Sequence, residues 1–151
     1  MYTCRQELSI RGGDVSEQSK ENLENMVSDI CSRETAIMAA YVFGSVARGR
    51  PGPSSDLDVA VLLDERCLQE FSVPSFMSQI EKARGGRADV VVLNRADEIV
   101  KREVRCSGRL VFERDPQVRK RFEVSSRKSY EDFLYLHRRY VRKVLYGQKH
   151  G

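Results

Sequence analysis

Between Tyr41 and Leu63 two short apolar runs bracket the segment Gly-Ser-Val-Ala-Arg-Gly-Arg-Pro-Gly-Pro-Ser-Ser-Asp-Leu-Asp. No other stretch narrows the possible folds as far. An apolar run that ends on Gly44-Ser45 reads as a buried strand stopping at a tight turn. There a residue without Cβ lets backbone N–H groups, and the Ser45 hydroxyl beside them, face a phosphate. Asp56 and Asp58 open the second apolar run two positions apart. On a strand that spacing sends both side chains out of the same face. Paired carboxylates suit Mg²⁺, which takes hard oxygen ligands and keeps coordination positions open for substrate phosphates. A bare Asp-x-Asp is more often a turn or cap residue followed by a strand-edge charge, so the pair acquires meaning from its surroundings.

Those surroundings include a third acid. Asp89 stands in Arg-Ala-Asp-Val-Val-Val-Leu-Asn, directly after the Gly85-Gly86 break and at the start of another strand-like run. Gly-Ser, a spacer, Asp-x-Asp and a later strand carboxylate together resemble the signature of nucleotidyltransferases of the DNA polymerase β superfamily, most closely its minimal nucleotidyltransferase (MNT) group. The resemblance covers roughly residues 20 to 115. It implies an α/β (α+β) palm, a small mixed sheet of about four strands flanked by helices, followed here by a long C-terminal helix. It also implies ATP as substrate and two Mg²⁺ sites held by Asp56, Asp58 and Asp89, with Asp89 helping to take the proton of the attacking hydroxyl. Gly44 and Ser45 would cradle the β- and γ-phosphates. Arg48 lies three residues after Ser45 and could add a bidentate phosphate contact, but Arg50 is a nearby alternative and no spacing rule chooses between them.

The rest of the chain divides into a flexible lead-in over 1–13, a core over 14–115 and a C-terminal helix over 116–151, within one domain. Asp14 with Glu17 forms a capping box for a first helix from about Val15 to Arg33. Strands are expected at Ala36 to Phe43, Leu57 to Leu63 and Ala88 to Leu93, the last two apolar on both faces as central strands are. Between them Asp64 to Phe71 and Ser75 to Arg84 are helix-like. Asp97 can cap a helix that Gly108 stops, Leu110-Val111-Phe112 is edge-like, and Asp115-Pro116 starts the final helix.

Composition adds limits. The four cysteines, Cys4, Cys31, Cys67 and Cys106, are scattered with no Cys-x-x-Cys pair, which suggests neither a zinc site nor a disulfide framework; Cys31 is expected in the core. No long apolar span and no signal-peptide pattern occur, pointing to the cytoplasm and away from a membrane. A net charge of +4 permits an anionic partner, but 32% charged residues of both signs is an ordinary solvated surface.

On the final helix, Tyr130, Phe133, Leu134, His137, Val141, Val144 and Leu145 share an apolar face, and Arg138, Arg139, Arg142 and Lys143 lie opposite. Packing on the domain and docking of a partner both fit; Tyr135, Tyr140 and Tyr146 add aromatics of the kind interfaces use. His137 is expected to be packed, in the core or in an interface. No RNA-binding motif accompanies the basic residues, which argues against direct nucleic-acid binding. As MNT antitoxins do, a chain of this type would transfer AMP to a tyrosine of a HEPN-domain ribonuclease toxin. The alternatives are an antitoxin that only masks its partner, or an adenylyltransferase acting on an aminoglycoside-type hydroxyl.

Overall fold

The two apolar runs that bracket the Gly-Ser turn become the central strands of a four-stranded mixed sheet. This is seen in a computed structural model that describes residues 14–49 and 55–147. In chain order the elements are α1 (Asp14–Arg33), β1 (Ile37–Phe43), α2 (Gly44–Ala47), β2 (Leu57–Leu63), α3 (Val73–Arg84), β3 (Ala88–Val92), α4 (Glu98–Ser107), β4 (Arg109–Glu113) and α5 (Pro116–Tyr146). The strand order is β3-β2-β1-β4, with β1 antiparallel to both neighbours and β2 parallel to β3.

β2 sorts the core into two layers because consecutive strand residues point to opposite faces. Leu57, Val59, Val61 and Leu63 pack with Val27, Ile30 and Cys31 of α1 and Phe76 and Ile80 of α3. Ala60 and Leu62 turn to the other face, where they meet Tyr41 and Phe43 of β1, Leu93, and Val104 of α4. Each buried Val, Leu and Ile among them gains about 1.5–3 kcal/mol by leaving water. A register shift between Ile37 and Ala39 lets β1 feed Ile37, Ala40 and Val42 to the first layer and Ala39, Tyr41 and Phe43 to the second.

The helix caps follow the sequence closely. Ser72, Asp97 and Asp115 each accept a backbone N–H in the first turn of α3, α4 and α5, and Gly85, at φ 73°, ends α3 in the left-handed conformation. Such caps contribute about 1 kcal/mol apiece. Cys31 is buried, as its helical position suggested.

Two expectations need correction, and two open alternatives are narrowed. β3 is an edge strand rather than a central one, because the right-hand neighbour position on β1 is taken by β4 and the parallel crossover through α3 delivers β3 to the outside of β2. The stretch Asp64 to Phe71 holds only a 3₁₀ turn, Glu65–Cys67, capped by Asp64; the helix that follows begins at Val73, with Pro74 in its first turn. The apolar stripe of α5 is covered only in part. Of that stripe Tyr130, Phe133, Leu134 and Val141 are half-buried, whereas Val144 and Leu145 are exposed, as are Tyr135, Leu136, Tyr140 and Tyr146 beside it; nearer the start of the helix Val118 and Phe122 join the second core layer and Ser126 is buried. His137 is exposed too and stacks on Phe133, with 5.8 Å between ring centroids. The sheet is too short to reach the far half of a 31-residue helix.

The first half of α5 is held to the sheet by polar contacts. The Tyr41 hydroxyl donates to Glu123 at 3.0 Å, and Arg119 bridges Glu123 and Glu113. Burial, followed by the Glu123 charge, keeps the Tyr41 phenol protonated well beyond its ordinary range. Residues 1–13, Arg50, His150 and the side chain of Asp14 in the expected capping box lie outside the described residues.

Candidate active site

Strand parity gathers the three candidate acids. Asp58 is flush with Asp89 in the parallel β2–β3 register and opposite Phe43 in the antiparallel β1–β2 register. Ala60 and Leu62 belong to the α4 and α5 face, so Asp58, two residues before Ala60, leaves on that face as well. By the same parity Asp89 accompanies Val91, and Asp56, just ahead of the strand, accompanies Asp58. Asp58 is half-buried, Asp56 and Asp89 exposed.

Gly44 closes the site from the β1 side. Its φ is +71°, and a Cβ built on it would lie 2.1 Å from Asp58 Oδ2. The close approach of backbone to carboxylate therefore requires glycine here, for conformation and for space. Ser45 follows in the first turn of α2, half-buried, and the helix is closed by the Arg48 N–H donating to the Gly44 carbonyl at 3.2 Å.

The charges around Asp58 are unequal. Burial, then Asp89, Asp56 and Glu103, push its pKa above the ordinary 3.8, and only Arg84 opposes them. Arg84 itself clamps the strand ends, its guanidinium donating to the carbonyls of Ser55, at 2.8 Å, and Arg87. Arg87 stands 3.9 Å from Asp56, at the outer limit of an ion pair. Negative charge thus exceeds the cations that face it, and the donors are all hard oxygens, the chemistry that fits Mg²⁺. Among the described residues no three His, Cys, Asp or Glu side chains converge as a closed ligand cage. The acids adjoin as neighbours on one face.

The Arg48 side chain is engaged by an acid on α4. Its Nη2 lies 2.5 Å from Oε1 of Glu103. Glu103, Arg84 and Arg87 are the residues around the site that sequence reasoning passed over. Glu103 sits in an ordinary amphipathic helix, and only the packing of Val100 and Val104 against the sheet brings it to Arg48. A cavity of about 770 Å³ lined by Leu62, Asn94, Lys101, Phe122 and neighbours lies on the same face at the opposite end of β2 and includes none of the three acids.

A mixed sheet with a Gly-Ser turn set against an Asp-x-Asp strand and a third acid in register defines a nucleotidyltransferase palm. The family model described as Polymerase beta, Nucleotidyltransferase matches residues 25–117, and the chain belongs to that family. Among individual proteins, the protein adenylyltransferase MntA of Aphanizomenon flos-aquae (strain 2012/KM1/D3) is 31% identical over 81 residues, which make up 48% of this chain and 54% of that protein. The chain therefore spans about half the length of the curated relative it matches. A chain of a toxin–antitoxin crystal structure solved with AMP-PNP superposes with a TM-score of 0.65 at 20% identity, covering 81% of this chain and 98% of that one. The complex of tri-AMPylated Shewanella oneidensis HEPN toxin with MNT antitoxin gives a TM-score of 0.61 at 19% identity, over 83% of this chain and 98% of its counterpart. At these identities the likeness is one of fold. Among the described residues no helix is long and apolar enough to cross a membrane.

Proposed function

We propose that this chain transfers AMP from ATP to a tyrosine hydroxyl of a HEPN-type ribonuclease toxin and so acts as its antitoxin, in the cytoplasm where ATP is available. The observation that carries the reading is the in-register pair Asp58 and Asp89 beside a positive-φ Gly44 that leaves no room for a side chain. The MntA relative is named a protein adenylyltransferase, and the AMP-PNP and tri-AMPylated toxin structures share the fold.

Asp56 and Asp58 would hold one Mg²⁺ and, with Asp89, a second; when bound, these ions neutralise the triphosphate and acidify the attacking hydroxyl. Gly44 and Ser45 offer backbone N–H groups and a hydroxyl to the β- and γ-phosphates, fixing the α-phosphorus in line with its attacker. Arg48 swings to the same phosphates. The Asp89 carboxylate accepts the tyrosine proton as the hydroxyl oxygen bonds to the α-phosphorus and pyrophosphate departs. Catalysis here consists of positioning and charge neutralisation, with no covalent intermediate on the chain.

The outer half of α5 supplies a docking face. Its exposed tyrosines and leucines are interleaved with Arg138, Arg139, Arg142 and Lys143, and no acid occurs between Phe133 and Gly147. Two copies of so basic a surface repel each other, whereas an apolar groove with an acidic rim fits it. That face also supports a second reading, in which the chain neutralises its partner by covering it.

Asp89→Asn separates the two. A transferase so altered still binds the toxin in a pull-down, but the toxin keeps its mass and its ribonuclease activity, and growth is not rescued. Full rescue by Asp89→Asn with no added mass on the toxin would establish masking instead.

A further inference from the structure

We infer that Glu103 competes with the nucleotide for Arg48, its carboxylate holding the Arg48 guanidinium until a phosphate takes it. This role rests on the nucleotide reading above. Arg48 follows the last residue of α2, four positions beyond Gly44, and spans to α4 to meet Glu103 at 2.5 Å, 55 residues further along the chain. Val100 and Val104 anchor α4 in the second core layer, Val104 fully buried, so Glu103 is presented at the rim of that layer. The backbone carbonyl of Glu103 is fixed in turn by the Ser107 hydroxyl at 2.9 Å.

A guanidinium offers carboxylate and phosphate the same fork of donors, so the Glu103 carboxylate can stand in for a phosphoryl group. The side chains of the pair are 56% and 37% exposed, and ion pairs so open to water are weak. That weakness suits a temporary hold: a triphosphate with several charges displaces one carboxylate readily. Until then Arg48 is held on α4, and Glu103 repels anions too small to capture Arg48.

The test is a double-mutant cycle on binding of α,β-methylene-ATP, whose α–β bridge cannot be cleaved, measured by calorimetry with Mg²⁺ on the full chain. Glu103→Gln should tighten binding by about fivefold, the factor that corresponds to an exposed ion pair of ~1 kcal/mol. Arg48→Ala should weaken it. In the Arg48→Ala background Glu103→Gln should bring less than half of that gain, since the competitor has lost its object. Equal gains in both backgrounds would mean that Glu103 acts only through its field, and unchanged affinity with a lowered melting temperature would make it a structural residue; either result overturns the role. Glu103→Ala, measured alongside, must reproduce the gain of Glu103→Gln. A parent chain that binds no nucleotide at all overturns the nucleotide site and this role with it, and so is distinguishable from failure of the Glu103 arm alone.

Discussion

Replacing Gly44 with alanine should disable the site at modest cost to the fold, and the size of both effects follows from the geometry. At φ +71° an L-residue pays roughly 1–2 kcal/mol for the left-handed conformation. For a chain of this size that lowers the melting temperature by about 2–4 °C per kcal/mol. The new Cβ would also lie 2.1 Å from Asp58 Oδ2, where ordinary contact begins at 3.4 Å. The carboxylate must therefore retreat by more than about 1 Å, a misplacement that costs on the order of 10²-fold in rate. Gly85 provides the control. Its φ is +73°, and a Cβ there meets nothing within 4 Å. Thermal melts and AMP-transfer rates should then show similar losses of stability in Gly44→Ala and Gly85→Ala but loss of transfer only in the first. Gly44→Ala with parental transfer, or Gly85→Ala with an equal loss, would refute the contact between Gly44 and Asp58 as the cause.

Asp58→Asn should abolish transfer while raising the melting temperature at neutral pH. The folded pKa of Asp58 is raised, so its ionisation costs stability as pH climbs through that value; the advantage of asparagine should be present at pH 7 and vanish as pH falls below the ordinary carboxylate value of 3.8. Tyr41→Phe removes the hydroxyl that donates to Glu123 and should cost about 1 kcal/mol, read by denaturant titration, with transfer retained. Burial, reinforced by Glu34, pushes the Cys31 thiol up to about 12, so peptide mapping after iodoacetamide should find exposed Cys106 labelled in the native chain and Cys31 only after denaturation. Arg138→Glu with Arg142→Glu alters exposed positions only, and should leave the melt unchanged while abolishing partner capture.

What could be read from the sequence was whatever local chemistry dictates. The strands flanking Gly44-Ser45 and Asp56-Leu57-Asp58, and the caps at Asp97 and Asp115, depend on neighbours close in sequence, and residue types signal them. The parity of Asp56 and Asp58 and the start of β3 at Ala88 were enough to bring three acids near one another on paper. The edge position of β3 was not legible, since a run of valines reads the same beside one neighbour as between two. Nor was the orientation of Arg48: its partner Glu103 is brought near by the way α4 lies on the sheet, a tertiary fact with no local mark. The far half of α5 misled in the opposite direction. A helical apolar stripe promises burial, but it does not say whether the surface that buries it belongs to the same chain.

The most direct measurement incubates the purified chain with ATP labelled at its α-phosphate, Mg²⁺ and a HEPN-domain ribonuclease of the proposed partner class, and follows label and intact mass. Transfer should place the label on a tyrosine of that protein, raise its mass by one or more AMP units, and disappear with Asp58→Asn. A partner that is bound and silenced while its mass stays unchanged and the label remains in ATP would contradict the transferase reading.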